Sequence, residues 1–378
     1  MPTFRATLEQ LRQSGNLRHI PLPGSGRECI DLSSNDYLGL ASRHGLQQEF
    51  MDLSENRLAP LTASASRLLA AGQDDFHALE ELLSSLYGRS VLLFNSGYHA
   101  NVGTVSAIAS EETMILADKL VHASIIDGIV LSRARFARFH HNDISHLERL
   151  LEKHHKEYER ILVIVESVYS MDGDQCNLDS LIALKEHYPN VMLYVDEAHA
   201  FGVIGDRGLG LVKSNPRGHM VDILVDTLGK AAASSGAFVA TSPDIREFLV
   251  NRARSFIFST AIPPMLCRWS RYIIEKIIGM DTERARLQEI TRRMSSILAP
   301  YLALPPQPSH IMPLVTGDAV RTVELSQKLL QHGVKVLPIR TPTVPPGTER
   351  LRFSLSAALT DSDLQNVSVA IAATLHRL

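Results

Sequence analysis

Apolar and polar positions along this chain follow two periods. Residues 5–15 place apolar side chains at helical spacing, and so do residues 74–87, DDFHALEELLSSLY. Asp74 and Asp75 are N-cap candidates for the second of these helices, and Gly88 is its expected stop. Between the two lie a strand-like stretch, Cys29-Ile-Asp-Leu-Ser, and a turn-rich one, Ser33-Ser-Asn-Asp-Tyr-Leu-Gly. From there short apolar runs alternate with helical patterns. The predicted strands are Val91–Phe94, Thr113–Ala117, Ile161–Ser167, Val191–Asp196, Ile223–Thr227 and Ala237–Ala240. Ile161–Val165 and Val191–Val195 are near-continuous apolar runs rich in branched residues, as expected of parallel strands covered on both faces. In such sheets the groups that do chemistry sit just past the carboxyl ends of strands.

Pro263-Pro264 interrupts this alternation. A helical stretch at about 265–300 follows, then a proline-rich loop, Leu304-Pro-Pro-Gln-Pro. The remainder predicts strand Ile311–Val315, helix Thr322–His332, strands Lys335–Pro338 and Arg350–Ser356, and helix Asp361–Leu375. The expected organisation is an N-terminal segment (1–45), a large domain (46–265), a linking helix (266–300) and a small α+β C-terminal domain (301–378). No internal repeat or low-complexity tract interrupts it.

Composition narrows the function classes. Of 378 residues, 45% are apolar and 21% charged, which is a packed globule and not a disordered chain. The net charge of −3 offers no basic excess, which argues against a nucleic-acid partner. Cys29, Cys176 and Cys267 are an odd, sparse count and so no disulfide framework, no C-x-x-C pair suggests a zinc ribbon, and no metal is expected. They read as thiols of a reducing cytosol. The N-terminus lacks a signal peptide's apolar core. The purest apolar run, Ile161–Val165, is far below the roughly 20 residues of a membrane span. The chain is therefore expected to be cytoplasmic, with no membrane partner.

Asp196-Glu197-Ala198-His199 spells the DEAH string of helicases, a reading that requires a phosphate loop. The one Gly-Lys pair, Gly229-Lys230, has Leu224 in place of the loop's first glycine and Ala231 in place of its Ser/Thr. It also follows the DEAH string instead of preceding it. The helicase reading fails.

The same residues suit pyridoxal 5′-phosphate. That cofactor needs a lysine for its imine, a carboxylate beside the ring nitrogen, donors for the phosphate and a flat group against the ring. Asp196 ends an apolar strand, where its carboxylate either meets a cation or caps a helix. His199, three residues on, is within reach of the ring hydroxyl. Lys230 follows the apolar run Ile223–Val225, and Thr227 precedes it by three. Ser96-Gly97-Tyr98 lies between a strand and an apolar helix, which suits an anion at the helix start. His122 is a candidate for stacking on the ring.

Taken in order, these segments resemble the α-oxoamine synthases, a pyridoxal-phosphate family of fold type I. The similarity runs from about residue 15 to 375. It is carried by Ser33-Ser-Asn-Asp-Tyr-Leu-Gly-Leu, Asn95-Ser-Gly-Tyr-His-Ala-Asn, His122-Ala-Ser, Glu166-Ser-Val-Tyr-Ser-Met-Asp-Gly-Asp, Val195-Asp-Glu-Ala-His-Ala-Phe-Gly, Thr227-Leu-Gly-Lys, Phe258-Ser-Thr-Ala-Ile-Pro-Pro and Leu351-Arg-Phe-Ser-Leu. Ser66-Arg67-Leu68 and Pro342-Thr343-Val344-Pro345 are similar to the member of biotin synthesis that joins L-alanine to a pimeloyl thioester of CoA or a carrier protein. His122-Ala-Ser-Ile-Ile-Asp-Gly is also similar to the member that joins glycine to acetyl-CoA.

The resemblance implies an α/β, aminotransferase-like fold: a large domain with a mainly parallel mixed sheet between helices, plus a small α+β domain. It implies a C-acyltransferase with an amino acid and an acyl thioester as substrates. Lys230 would carry the cofactor, Asp196 would pair with the ring nitrogen, and His199 and Ser170 would lie at the ring oxygen. His122 would stack on the ring. Gly97, Tyr98 and Thr227 would hold the phosphate, and Thr260 would reach the neighbouring subunit's cofactor in an obligate homodimer. Asn35 and Arg352 would bind the substrate carboxylate, and Arg18 and Thr343 would line the acyl side. Two positions depart from the family. Its glycine-rich turn before Ser-Arg-Leu is here Leu61-Thr-Ala-Ser-Ala-Ser-Arg, where a positive φ would be strained. Its histidine eight residues after the Leu-Arg start is Leu359.

Overall fold

The computed structural model describes residues 3–20, 29–56, 58–302 and 309–375. In chain order its strands are β1 (Ile30–Leu32), β2 (Ser90–Phe94), β3 (Thr113–Asp118), β4 (Arg135–Phe139), β5 (Arg160–Glu166), β6 (Val191–Asp196), β7 (Ile223–Thr227), β8 (Ala237–Thr241), β9 (Ile311–Val315), β10 (Val334–Ile339) and β11 (Arg350–Ser354). The proline-rich loop expected at 304–308 lies outside the described residues. Residues 39–169 and 175–281 form one compact unit; the other runs to Leu38, includes 170–174 and resumes at Thr282.

In the first unit a seven-stranded sheet runs β2-β8-β7-β6-β5-β3-β4. The five strands from β7 to β4 are mutually parallel. β8 is antiparallel to both its neighbours, β2 and β7. The sheet is thus mixed and mainly parallel, as expected. The apolar runs β5 and β6 lie side by side within it, and Ile161–Val165 are all buried.

Helices Gly97–Ile108 and Ala123–Ser132 contribute to the apolar core that covers this sheet. Gly128 allows their contact. A β-carbon there would stand 2.9 Å from Val105 Cβ and 3.2 Å from the Asn101 carbonyl oxygen. The close approach brings Ser124 of the second helix against Asn101 of the first, a contact that matters for the site.

Several elements differ from the sequence expectation. β4 was not anticipated, because its polar and partly exposed residues on the sheet edge carry no apolar run. Helix Gln73–Tyr87 has Gly72 at its N-cap, and Asp74 and Asp75 lie in its first turn, where they favour the positive helix end. Gly88 ends it at φ 68, as expected. The single long helix splits into Pro264–Ile277 and Asp281–Leu298 around Gly279. The glycine-poor turn adopts a left-handed residue regardless: Ser64 has φ 52, with its N–H bonded to Thr62 Oγ1 at 3.1 Å.

In the second unit the sheet order is β1-β10-β11-β9. β1 is parallel to β10, and the other pairs are antiparallel. Helices Ala319–Gln331 and Asp361–Thr374 belong to this unit, the latter opened by a capping box between Thr360 and Asp363. Among the described residues no helix is long and apolar enough to cross a membrane. All three cysteines are free thiols.

Candidate active site

β6 and β7 are adjacent and parallel, with Asp196 in register with Val225. Asp196 is the last residue of β6, and Thr227 the last of β7. The chain beyond each strand therefore emerges at the same edge of the sheet. From the first comes His199 and from the second Lys230. Lys230 Nζ lies 2.8 Å from His199 Nε2.

Asp196 is buried, and both its oxygens are engaged. Oδ1 accepts the Ala198 N–H at 2.9 Å, and Oδ2 accepts from Asn101 Nδ2 at 2.7 Å. The same amide nitrogen donates to Ser124 Oγ at 3.0 Å, and the Tyr194 hydroxyl donates to Asn101 Oδ1 at 2.6 Å. Ser124 Oγ lies 2.7 Å from His122 Nδ1, which also accepts the Ser124 N–H at 3.2 Å. His122 caps its helix through this contact. Burial lowers its pKa; the Asp196 charge opposes that shift and the Lys230 charge adds to it. Sequence reasoning missed Asn101, Ser124 and Tyr194 as members of this group. The available signal was an asparagine in a largely apolar helix and a tyrosine inside an apolar strand.

The structure also brings together Gly97 and Thr227, two of the residues expected at the phosphate. Ser96 caps helix Gly97–Ile108 by accepting the His99 N–H. The Gly97 and Tyr98 N–H groups have no acceptor within the helix. The position of a β-carbon on Gly97 is 3.8 Å from Thr227 Oγ1, so that hydroxyl stands beside the first turn. Thr227 Oγ1 donates to the Gly236 carbonyl at 3.1 Å and accepts the Gly229 N–H at 3.3 Å. The Tyr98 hydroxyl bonds Asp127. Thr260 is exposed and forms a β-bridge with Ser66, and its carbonyl accepts from Asn95 Nδ2, just before the Ser96 cap.

Two further acids lie near the Asp196 carboxylate. Glu197 is fully buried and its pKa is pushed up to about 7 by that burial, although the Val212 and Leu211 N–H groups bond it. Burial, then the charges of Glu197 and Asp196, hold Asp226 well above the usual carboxylate range. Asp226 accepts from the Tyr87 hydroxyl at 3.1 Å. The lysine, the carboxylate, the imidazole and the helix start thus match the needs of pyridoxal phosphate.

The remaining predicted residues lie in the other unit, in two groups. Arg352 is buried on β11; its Nε donates to the Ser170 carbonyl at 2.6 Å and its Nη2 to Asn35 Oδ1 at 3.1 Å. Nη2 also lies 3.4 Å from the Tyr37 hydroxyl. Tyr37 was not singled out from the sequence. Arg18 Nη2 donates to Thr343 Oγ1 at 3.3 Å and to the Thr341 carbonyl at 3.4 Å. Leu359, where the family has histidine, is a buried apolar residue.

Comparison with known proteins agrees with this geometry. Residues 27–371 match the family model described as aminotransferase class I and II. A relative from Pasteurella multocida, named "Putative 8-amino-7-oxononanoate synthase", is 44% identical over 372 residues, covering 96% of each chain. A serine palmitoyltransferase from S. paucimobilis with bound PLP–myriocin superposes with a TM-score of 0.86 at 27% identity, covering 98% of this chain and 97% of that one. An 8-amino-7-oxononanoate synthase from Francisella tularensis gives a TM-score of 0.74 at 30% identity, covering 91% and 97%. The chain belongs to the aminotransferase class I and II family and, within it, to the pyridoxal-phosphate-dependent α-oxoamine synthases.

Proposed function

We propose that this enzyme condenses L-alanine with a pimeloyl thioester, of CoA or of a carrier protein, to give 8-amino-7-oxononanoate, CO2 and the free thiol, a step of biotin synthesis. The observation that carries the reading is the Lys230–His199 contact beside the buried Asp196, in a chain 44% identical to a relative of that name.

Pyridoxal phosphate, when bound, supplies an electron sink for the carbanion that forms at the amino acid's α-carbon. Lys230, as a neutral amine, removes the α-proton and later returns one. Asp196 holds a proton on the ring nitrogen. His122 would lie against the ring, and His199 and Ser170 would hold the ring oxygen. The N–H groups of Gly97 and Tyr98, with Thr227, bind the phosphate. Arg352 and Asn35 take the alanine carboxylate; among the described residues Nη1 of Arg352 has no protein acceptor and is left for it. Arg18 and Thr343 line the acyl side. Thr260 serves the site of a second subunit, so the working unit is a homodimer.

A panel of alanine and glycine against pimeloyl and acetyl thioesters, read by thiol release, tests the reading. Thiol release with alanine and pimeloyl thioester is expected. Preference for glycine with acetyl-CoA would replace this function by that of the sister synthase.

A further inference from the structure

We propose that Tyr194, Asn101 and Ser124 form a directed hydrogen-bond chain that fixes His122 as a neutral imidazole with its proton on Nε2, and that Asn101 is the positioning residue joining this ring to Asp196. The proposal rests on the reading above that His122 and Asp196 meet the cofactor.

The direction of each bond follows from the groups involved. Tyr194 is completely buried, and its single proton faces Asn101 Oδ1 at 2.6 Å. An amide oxygen can only accept, so the phenol donates. Burial raises the Tyr194 pKa well above its ordinary value, so the phenol keeps that proton. The opposite amide orientation would set Oδ1 at 2.7 Å from a carboxylate oxygen, with two acceptors in contact. Asn101 Nδ2 therefore points to Asp196 and Ser124, and each of its two protons has an acceptor.

Ser124 Oγ receives one of those protons, and its own proton goes to His122 Nδ1 at 2.7 Å. The Ser124 main-chain N–H reaches the same nitrogen at 3.2 Å. A ring nitrogen taking two donors carries no proton. The charged groups that act on His122 are Asp196, Lys230 and Asp127, and burial outweighs them in favour of the neutral ring. Its one proton is then on Nε2.

This wiring has a chemical consequence. Nδ1 is engaged and Nε2 is protonated, so His122 offers bound ligands a donor and cannot accept the α-proton. Lys230 is left as the base at the ring. Asn101 holds the Asp196 carboxylate and the His122 ring in one arrangement, so neither turns alone.

The test is long-range 1H–15N correlation on 15N-histidine-labelled holoenzyme at neutral pH, with His122 assigned by its loss in His122→Gln. The expected pattern is an unprotonated Nδ1 and a protonated Nε2. Asn101→Asp puts an acceptor where Ser124 now finds a donor, so the serine proton turns away from His122 and the Nδ1 resonance shifts. Tyr194→Phe removes one buried oxygen and frees the amide to turn; cofactor affinity should fall about fivefold, the value of one hydrogen bond. A protonated Nδ1 in the wild-type enzyme overturns the proposal, as do His122 resonances unchanged in both variants. The tautomer is read without turnover, so loss of the proposed acyl chemistry and loss of this wiring give separate results.

Discussion

Lys230 Nζ and His199 Nε2 stand 2.8 Å apart, nitrogen to nitrogen. In its ammonium state Lys230 only donates, so in that state Nε2 is the acceptor and the His199 proton sits on Nδ1. The lysine is thereby held at the carboxyl edge of β6 and β7 instead of sweeping through solvent. Borohydride reduction of the holoenzyme should add the cofactor's mass to the peptide that contains Lys230. Lys230→Ala should show neither the added mass nor thiol release. Turnover retained in that variant would remove Lys230 from its assigned role.

Arg352 shares its guanidinium between Ser170 and Asn35, through Nε and Nη2. A lysine at this position has one nitrogen and cannot hold both while also binding a carboxylate. Arg352→Lys should raise KM for the amino acid by roughly tenfold or more, the value of a lost charged hydrogen bond. KM for the thioester should change little. Steady-state kinetics with each substrate varied separately check this; an unchanged amino-acid KM would place the carboxylate elsewhere.

Glu197 gives a pH dependence whose sign is fixed. Its folded pKa is raised from 4.5 to about 7 by burial. Between those values the folded chain keeps a proton that the unfolded chain has released. The stability from this group is present below 4.5 and is lost as the pH rises towards 7. Glu197→Gln mimics the protonated acid and keeps an oxygen for the Leu211 and Val212 N–H groups. Urea unfolding at about pH 5 and pH 8 should show the wild type losing up to about 3 kcal/mol more than the variant. Parallel losses would show that Glu197 ionises normally.

Ser64 occupies a left-handed conformation at φ 52 without being glycine. Such a residue costs roughly 1 kcal/mol, partly offset by the extra freedom a glycine has in the unfolded chain. Ser64→Gly should therefore raise stability by about 0.5 kcal/mol. A lower Tm in the variant would mean that the Ser64 side chain contributes more than its backbone costs.

Much of this was legible in the sequence where burial is uniform. β6 and β7 begin where their apolar runs begin and end one and two residues beyond them, on Asp196 and Thr227, because strands covered on both faces need apolar residues along most of their length. β4 was hidden because Arg135, Phe136 and Arg138 on an exposed sheet edge imitate a loop. The break at Gly279 was hidden by continuous apolar spacing across Ile277, Ile278 and Met280. Asp196 ends a strand, Lys230 and His199 follow strands, and all three could be placed by position along the chain. Asn101 could not, because its role arises from a helix contact made possible by Gly128, nearly thirty residues away. Contacts of that kind leave no period in the sequence.

The pairing of β1 with β10 also sets an order of assembly. Ile30 finds its partner at Val334, about 300 positions later. At a synthesis rate of about 5–20 residues per second, β1 waits roughly 15–60 s for that partner. The unit of residues 39–169 and 175–281 has left the ribosome by then and can fold first. A three-residue strand is a short sticky edge to leave open for that time. The segment bearing Asn35 becomes part of a finished structure only when the last quarter of the chain arrives, so a chain stalled before β10 would be folded in its centre with β1 still unpaired.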